Sequence, residues 1–143
     1  DGSKKMSKSD PSDMSRINMT DNAETIAKKI RKAKTDPDGL PSEVAGLEGR
    51  PEARNLVNIY AALADSSVEA VLDHAGGKQF SEFKPMLVDI AVEKLAPIST
   101  EMAQLMQDPA AIDQVLKDGA GRAREIAAPI LTKTYDIVGM LRS

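Results

Sequence analysis

Lys4, Lys5 and Lys8 place three cationic side chains within five residues, interleaved with the hydroxyls of Ser7 and Ser9 and followed by Asp10-Pro11. A lysine ammonium is a compact charge on a long rotatable stem, suited to following a phosphate group as its geometry changes. Serine hydroxyls and loop amides add donors for phosphate oxygens. In a mobile loop such a segment can close over a nucleotide and open again to release products. The same residue types also describe a solvated lysine-serine tail, and composition alone leaves both readings open. Lys4, at the margin of the cluster, reads as a solvated charge.

A second basic group follows at Lys28, Lys29, Arg31, Lys32 and Lys34. It could meet RNA phosphates or form the solvated face of an amphipathic helix, and the pattern suits both equally. Arg50, Arg54, Arg122 and Arg124 are further candidates, because a guanidinium can stack on unpaired bases or bond their edges. Aromatic platforms for bases are scarce, and Tyr60, Phe80, Phe83 and Tyr135 are expected in the core, as are Met102 and Met106. His74, beside Gly76-Gly77, suits a helix C-terminus.

Several chemistries are excluded. Among 143 residues there is no cysteine and one histidine, which removes disulfide frameworks, thiolate zinc sites, cysteine nucleophiles and histidine metal clusters. No apolar run approaches a membrane span and no signal-peptide pattern opens the chain, so a soluble, cytoplasmic protein without a membrane partner is expected. Charge is unevenly shared: up to Lys34 there are nine basic and five acidic side chains, and beyond it ten and seventeen. A phosphate-bearing partner should therefore dock near the basic front.

The elements that must carry these residues read as helical. Aromatics are only 3% with no Trp, which disfavours a sandwich or barrel and favours a core of Leu, Ile, Val, Ala and Met. Residues 1–20 lack apolar periodicity and form a flexible loop. Asp21 and Glu24 suggest a capping box for a helix with Ile26, Ala27 and Ile30 inward and the lysines outward. Breakers fill residues 35–50, a long loop. Pro51 opens a second helix, Ser66 or Ser67 caps a third that stops at Gly76-Gly77, and Met86–Leu95 is a fourth that Pro97 ends or kinks. Asp108-Pro109 starts a helix through Leu116, Gly119 and Gly121 punctuate it, and a last helix runs through Leu141. The expectation is an all-α bundle of about six helices around one core, with residues 1–20 as loop and linker and 21–143 as the helical domain.

Lys5-Met6-Ser7-Lys8-Ser9 spells KMSKS, the signature of class I aminoacyl-tRNA synthetases. Further blocks follow in order: Thr25-Ile26-Ala27-Lys28-Lys29-Ile30, Lys34-Thr35-Asp36, Asn55-Leu56-Val57-Asn58-Ile59-Tyr60, Leu95-Ala96-Pro97-Ile98 and Val115-Leu116-Lys117-Asp118-Gly119-Ala120. Together they resemble the C-terminal region of bacterial tryptophanyl-tRNA synthetases over nearly the whole chain. Ser12-Asp13 departs from the Asn-containing run that many of that family carry after the motif.

The resemblance implies a piece of an enzyme, in keeping with a start at Asp1-Gly2-Ser3 rather than Met. In the family the signature edges a Rossmann catalytic domain, whose body and tryptophan pocket would be absent here, and the helices after it bind the tRNA anticodon. ATP, Mg²⁺, tryptophan and tRNA are the implied substrates and cofactors. Lys5 and Lys8 are the implied catalytic cations, and Met6, Ser7 and Ser9 complete the ATP-binding loop. Lys28, Lys29, Arg31 and Lys32 are the candidate tRNA contacts. The implied parent is a homodimer, but its main subunit contact would lie largely in the missing part, so dimerisation of this piece is not predicted, and the piece is expected to be inactive alone. The alternative is a stand-alone helical adaptor for RNA or protein that carries the string by chance.

Overall fold

A computed structural model describes residues 2–3 and 5–140, and every helix or strand assignment among them is helical. Five α-helices follow in order: α1 Ala23–Lys32, α2 Pro51–Leu63, α3 Val68–Ala75, α4 Phe80–Leu105 and α5 Pro109–Val138. Two short 3₁₀ turns, Asp13–Ser15 and Val44–Leu47, precede α1 and α2. The chain divides into two compact units, one up to Met102 and one from Ala103 onward.

The all-α expectation holds, with local corrections. Asn22, rather than Asp21, caps α1: its side chain accepts from Thr25 N–H at 2.9 Å. Asp21 is buried and engaged elsewhere. Ser67 caps α3 through Ala70 N–H, and α3 stops before Gly76-Gly77, where Gly77 takes a positive φ of 78° that favours glycine. α4 begins at Phe80 rather than Met86, with the Glu82 carboxylate accepting from Gln79 N–H at 3.1 Å.

α4 continues through both Pro85 and Pro97. Each proline removes one ladder donor, and the carbonyls so freed belong to Ser81 and Glu93, both exposed, where water can take the lost place. Likewise α5 runs unbroken through Gly119, Gly121 and Pro129, so the two predicted C-terminal helices are one. Neither glycine adopts positive φ, and a helix-interior glycine costs only ~1 kcal/mol against alanine. Asp108 caps it as expected, accepting from Ala111 N–H, and Gly139 ends it with φ 69°. Leu141, expected in the last helix, lies outside the described residues.

In the first unit, Ile26 and Ile30 of α1, Leu56 and Val57 of α2, Leu72 of α3 and Phe83 and Leu87 of α4 form a contiguous core. Tyr60 packs against Phe83 with ring centroids 5.5 Å apart. The loop before α2 belongs to this core rather than to solvent. Leu40 and Leu47 are buried, and Leu40 exchanges backbone hydrogen bonds of 2.8 Å with Lys78 O and Gly77 N–H. Lys84 of α4 donates to the Arg31 and Ala33 carbonyls, placing a cation at the C-terminal end of α1. In the second unit no described residue is buried, and Met106, expected in the core, is exposed. Among the described residues no helix is long and apolar enough to cross a membrane.

Candidate functional site: the KMSKS turn and its anchor

The signature segment is a hydrogen-bonded turn. Asp10 N–H donates to Ser7 O at 3.2 Å, which puts Lys8 and Ser9 at the tip. Ser7 Oγ accepts from Ser9 N–H at 3.2 Å, and Asp10 Oδ1 accepts from Ser12 N–H at 2.7 Å. Short polar side chains thus satisfy the backbone locally, as Ser and Asp do in turns. Lys5, Met6, Ser7, Lys8 and Ser9 are all exposed, and neither Lys5 nor Lys8 forms an ion pair among the described residues. A lysine with no carboxylate against it keeps its charge available to an anion. Lys4 lies outside the described residues.

Beneath the turn lies a cavity of about 400 Å³, lined by Lys5, Met6, Arg16, Ile30, Asn55 and Ile59 among others. The turn is held by Arg16, whose Nη1 donates to Asp10 O at 3.1 Å, Ser12 O at 3.4 Å and Ser7 O at 3.5 Å. Its Nη2 lies 3.5 Å from Asp13 Oδ1.

Asp13 connects this clip to α1. Its Oδ2 is 2.7 Å from Lys29 Nζ, and its Oδ1 accepts from Asn18 Nδ2 at 2.8 Å. Lys29 also reaches Asp21 Oδ2 at 2.5 Å, and the Asp21 carboxylate accepts from Asn18 N–H. The Lys29 side chain is only 3% exposed. Burial pulls its pKa down, but the hydrogen bonds to Asp13 and Asp21 outweigh burial and hold it above the ordinary lysine value. The Lys29 hydrogen bond, aided by Asn18, holds the Asp13 carboxyl below the usual range.

The basic face of α1 therefore differs from its expected composition. Lys28, Arg31 and Lys32 are exposed, at the i, i+3 and i+4 spacing that shares one face. Lys29, expected on that face, is instead buried and paired with Asp13 and Asp21. It directly follows Lys28 in the chain, but lies about 100° further round the helix, and its ammonium is met by two carboxylates. Lys34 is exposed and 3.1 Å from Glu52. Arg50 is likewise structural rather than free: Nε and Nη2 clamp the Asp36 carboxylate, and Nη1 and Nη2 bond the Gly39 and Asp38 carbonyls. Arg54, Arg122 and Arg124 remain exposed.

Sequence reasoning missed Arg16, Asp13 and Asp21. The i, i+3 spacing of Asp13 and Arg16 was a weak signal; the eight-residue gap between Asp21 and Lys29 carried none, because it spans a turn and a helix start.

The first 94 residues match the family model described as tRNA synthetases class I (W and Y). The chain belongs to that family. Its whole length is similar to tryptophan–tRNA ligases. That of Mesorhizobium japonicum is 63% identical over 142 residues, 99% of this chain and 40% of the relative. That of Brucella melitensis is 61% identical over 143 residues, 100% of this chain and 40% of the relative. The chloroplastic/mitochondrial ligase of Arabidopsis thaliana is 38% identical, over 97% of this chain and 34% of the relative. The chain thus spans about 40% of the length of the first two of these relatives.

Proposed function

We propose that the chain is the C-terminal part of a tryptophan–tRNA ligase, with residues 1–20 as the ATP-facing loop and linker and residues 21–143 as the domain that binds the tRNA anticodon. The observation that carries this reading is 63% identity across nearly the whole chain to such a ligase, with the KMSKS string intact.

In the complete enzyme the tryptophan carboxylate attacks the α-phosphate of ATP, pyrophosphate leaves, and a ribose hydroxyl of the tRNA 3′ end then takes the aminoacyl group. Negative charge builds on the transferring phosphoryl group and on the leaving pyrophosphate. A cation that meets this charge only as it develops lowers the barrier, whereas one that binds ATP throughout merely tightens binding. Lys8, at the exposed tip of the turn, takes the first role on the pyrophosphate side, and Lys5 assists. Ser7 and Ser9 shape the turn through the contacts described above. Mg²⁺ bound to the ATP phosphates would supply further charge neutralisation beside that of Lys5 and Lys8.

Lys28, Arg31 and Lys32 are the tRNA-phosphate contacts of this reading. The complete enzyme is a homodimer whose main subunit contact lies largely outside residues 1–143, and the isolated chain is inactive and monomeric. The test is tryptophan-dependent pyrophosphate exchange by this chain and by the full-length product of its gene. Activity is expected only in the latter, and Lys8→Ala should slow it by roughly two orders of magnitude, about 2.7 kcal/mol in the barrier, with ATP binding changed much less. An unchanged rate removes Lys8 from the mechanism; no activity with any amino acid restores the adaptor reading.

A further inference from the structure

One guanidinium gathers three carbonyls of the signature turn. Arg16 Nη1 lies 3.1 Å from Asp10 O, 3.4 Å from Ser12 O and 3.5 Å from Ser7 O, so it spans the turn from one side of Lys8 to the other. The guanidinium is aimed by Asp13, 3.5 Å away, and Asp13 is aimed by the buried Lys29, 2.7 Å away. The polar path is continuous: the α1 interior, Asp13, Arg16, and the backbone that carries Lys8. The Arg16 hydrogen bonds in the turn go to main-chain carbonyls and leave the Lys8 side chain free.

We propose that Arg16, oriented by Asp13 and Lys29, is a positioning residue that holds the KMSKS turn in the form from which Lys8 meets the leaving pyrophosphate. The inference rests on the reading that this turn acts on ATP. Ordering a backbone costs conformational entropy, so a loop left to order itself at each turnover spends much of its time in unproductive conformers. Arg16 removes part of that cost in advance. Its planar fork lets Nη1 meet the turn carbonyls while Nη2 faces Asp13, a two-sided arrangement that a single lysine ammonium cannot reproduce. If the competent turn is only fractionally populated, the chemical step falls by that fraction, while binding of tryptophan, which the turn does not hold, is untouched.

The experiment uses the full-length enzyme and tryptophan-dependent pyrophosphate exchange, with Lys8→Ala as the reference. Arg16→Gln should lower kcat about tenfold with the tryptophan KM and the Tm unchanged, and Arg16→Lys should not rescue it. Asp13→Asn, which keeps the side-chain size and removes the aiming charge at a side chain 55% exposed, should lower kcat about threefold, and it carries the test should Arg16→Gln fold poorly. Because Arg16 acts through Lys8, Arg16→Gln combined with Lys8→Ala should be no more than about twofold slower than Lys8→Ala alone. Wild-type rates for Arg16→Gln and Asp13→Asn beside a slow Lys8→Ala would overturn the proposal and leave the function intact. So would losses that multiply in the double variant, or a rate lost only in step with Tm. A wild-type rate for Lys8→Ala would bring down the functional reading and the proposal with it.

Discussion

Ile26 and Ile30 on α1 and Ile126 and Ile130 on α5 have the same i, i+4 spacing and opposite fates. The first pair is 1% and 4% exposed, the second 72% and 66%. Both helices are amphipathic, since α5 carries Ile112, Leu116, Ala123, Ile126, Ile130 and Ile137 along one face. Only α1 has that face covered, by the α2, α3 and α4 residues of the first unit's core. Periodicity decides that a helix forms and which side is apolar; it does not decide what lies against that side. In the first unit, stability comes from burial. In α5 it comes from the ladder, the Asp108 cap and the Gly139 end.

The sharpest way to break this contrast is to open the core. Phe83 is fully buried, and Phe83→Ala should cost the first unit about 3–5 kcal/mol in urea denaturation. A loss below about 1 kcal/mol would mean the core packs otherwise. Glycines give the next test, because alanine has opposite effects in the two units. A Cβ at Gly76 would sit 2.6 Å from Leu72 O and 2.9 Å from Ser42 Cα, so Gly76→Ala should destabilise by about 1–3 kcal/mol.

Acid should loosen the first unit, where every ion pair given above lies before residue 53. The Arg50 hydrogen bonds hold the Asp36 carboxyl below its ordinary range, and Lys29 does the same for Asp13. A depressed carboxylate stabilises the fold above its unfolded pKa, about 4, and that stabilisation is lost as pH falls through the lower folded value. The Asp36–Arg50 clamp contributes about 1 kcal/mol after allowance for partial solvent screening, so urea midpoints of the first unit should fall below about pH 4 and Asp36→Asn should flatten that fall. The smallest effect is a gain. Nothing stands within 4 Å of a Cβ at Gly121, and Gly121→Ala should raise the local stability of α5 by about 0.5–1 kcal/mol in hydrogen exchange. A loss there would reveal a neighbour against α5.

Much of this was legible from residue types. The ends of α2, α3 and α5 were marked by Pro51, by Ser67 with Gly76-Gly77, and by Asp108-Pro109, because caps act within a few residues. Continuity was less legible. Pro97, Gly119 and Gly121 each lower helix propensity, yet the loss of one bond or ~1 kcal/mol does not stop a helix long enough to absorb it. The KMSKS string was legible as a string, and its exposed tip follows from its polarity.

By itself, then, the sequence determined an all-α chain, the starts of α2, α3 and α5, and a pair of lysines set among hydroxyls at the front. Tertiary structure decided which charges are free. It took Lys29 from the basic face into a buried site between Asp13 and Asp21, committed Arg50 to Asp36, and set Arg16 under the turn. The reason is range. Caps and periodicity act over three or four residues along the chain, whereas Lys29 and Asp13 are sixteen apart and Arg50 and Asp36 fourteen, and they meet only once the apolar faces have packed.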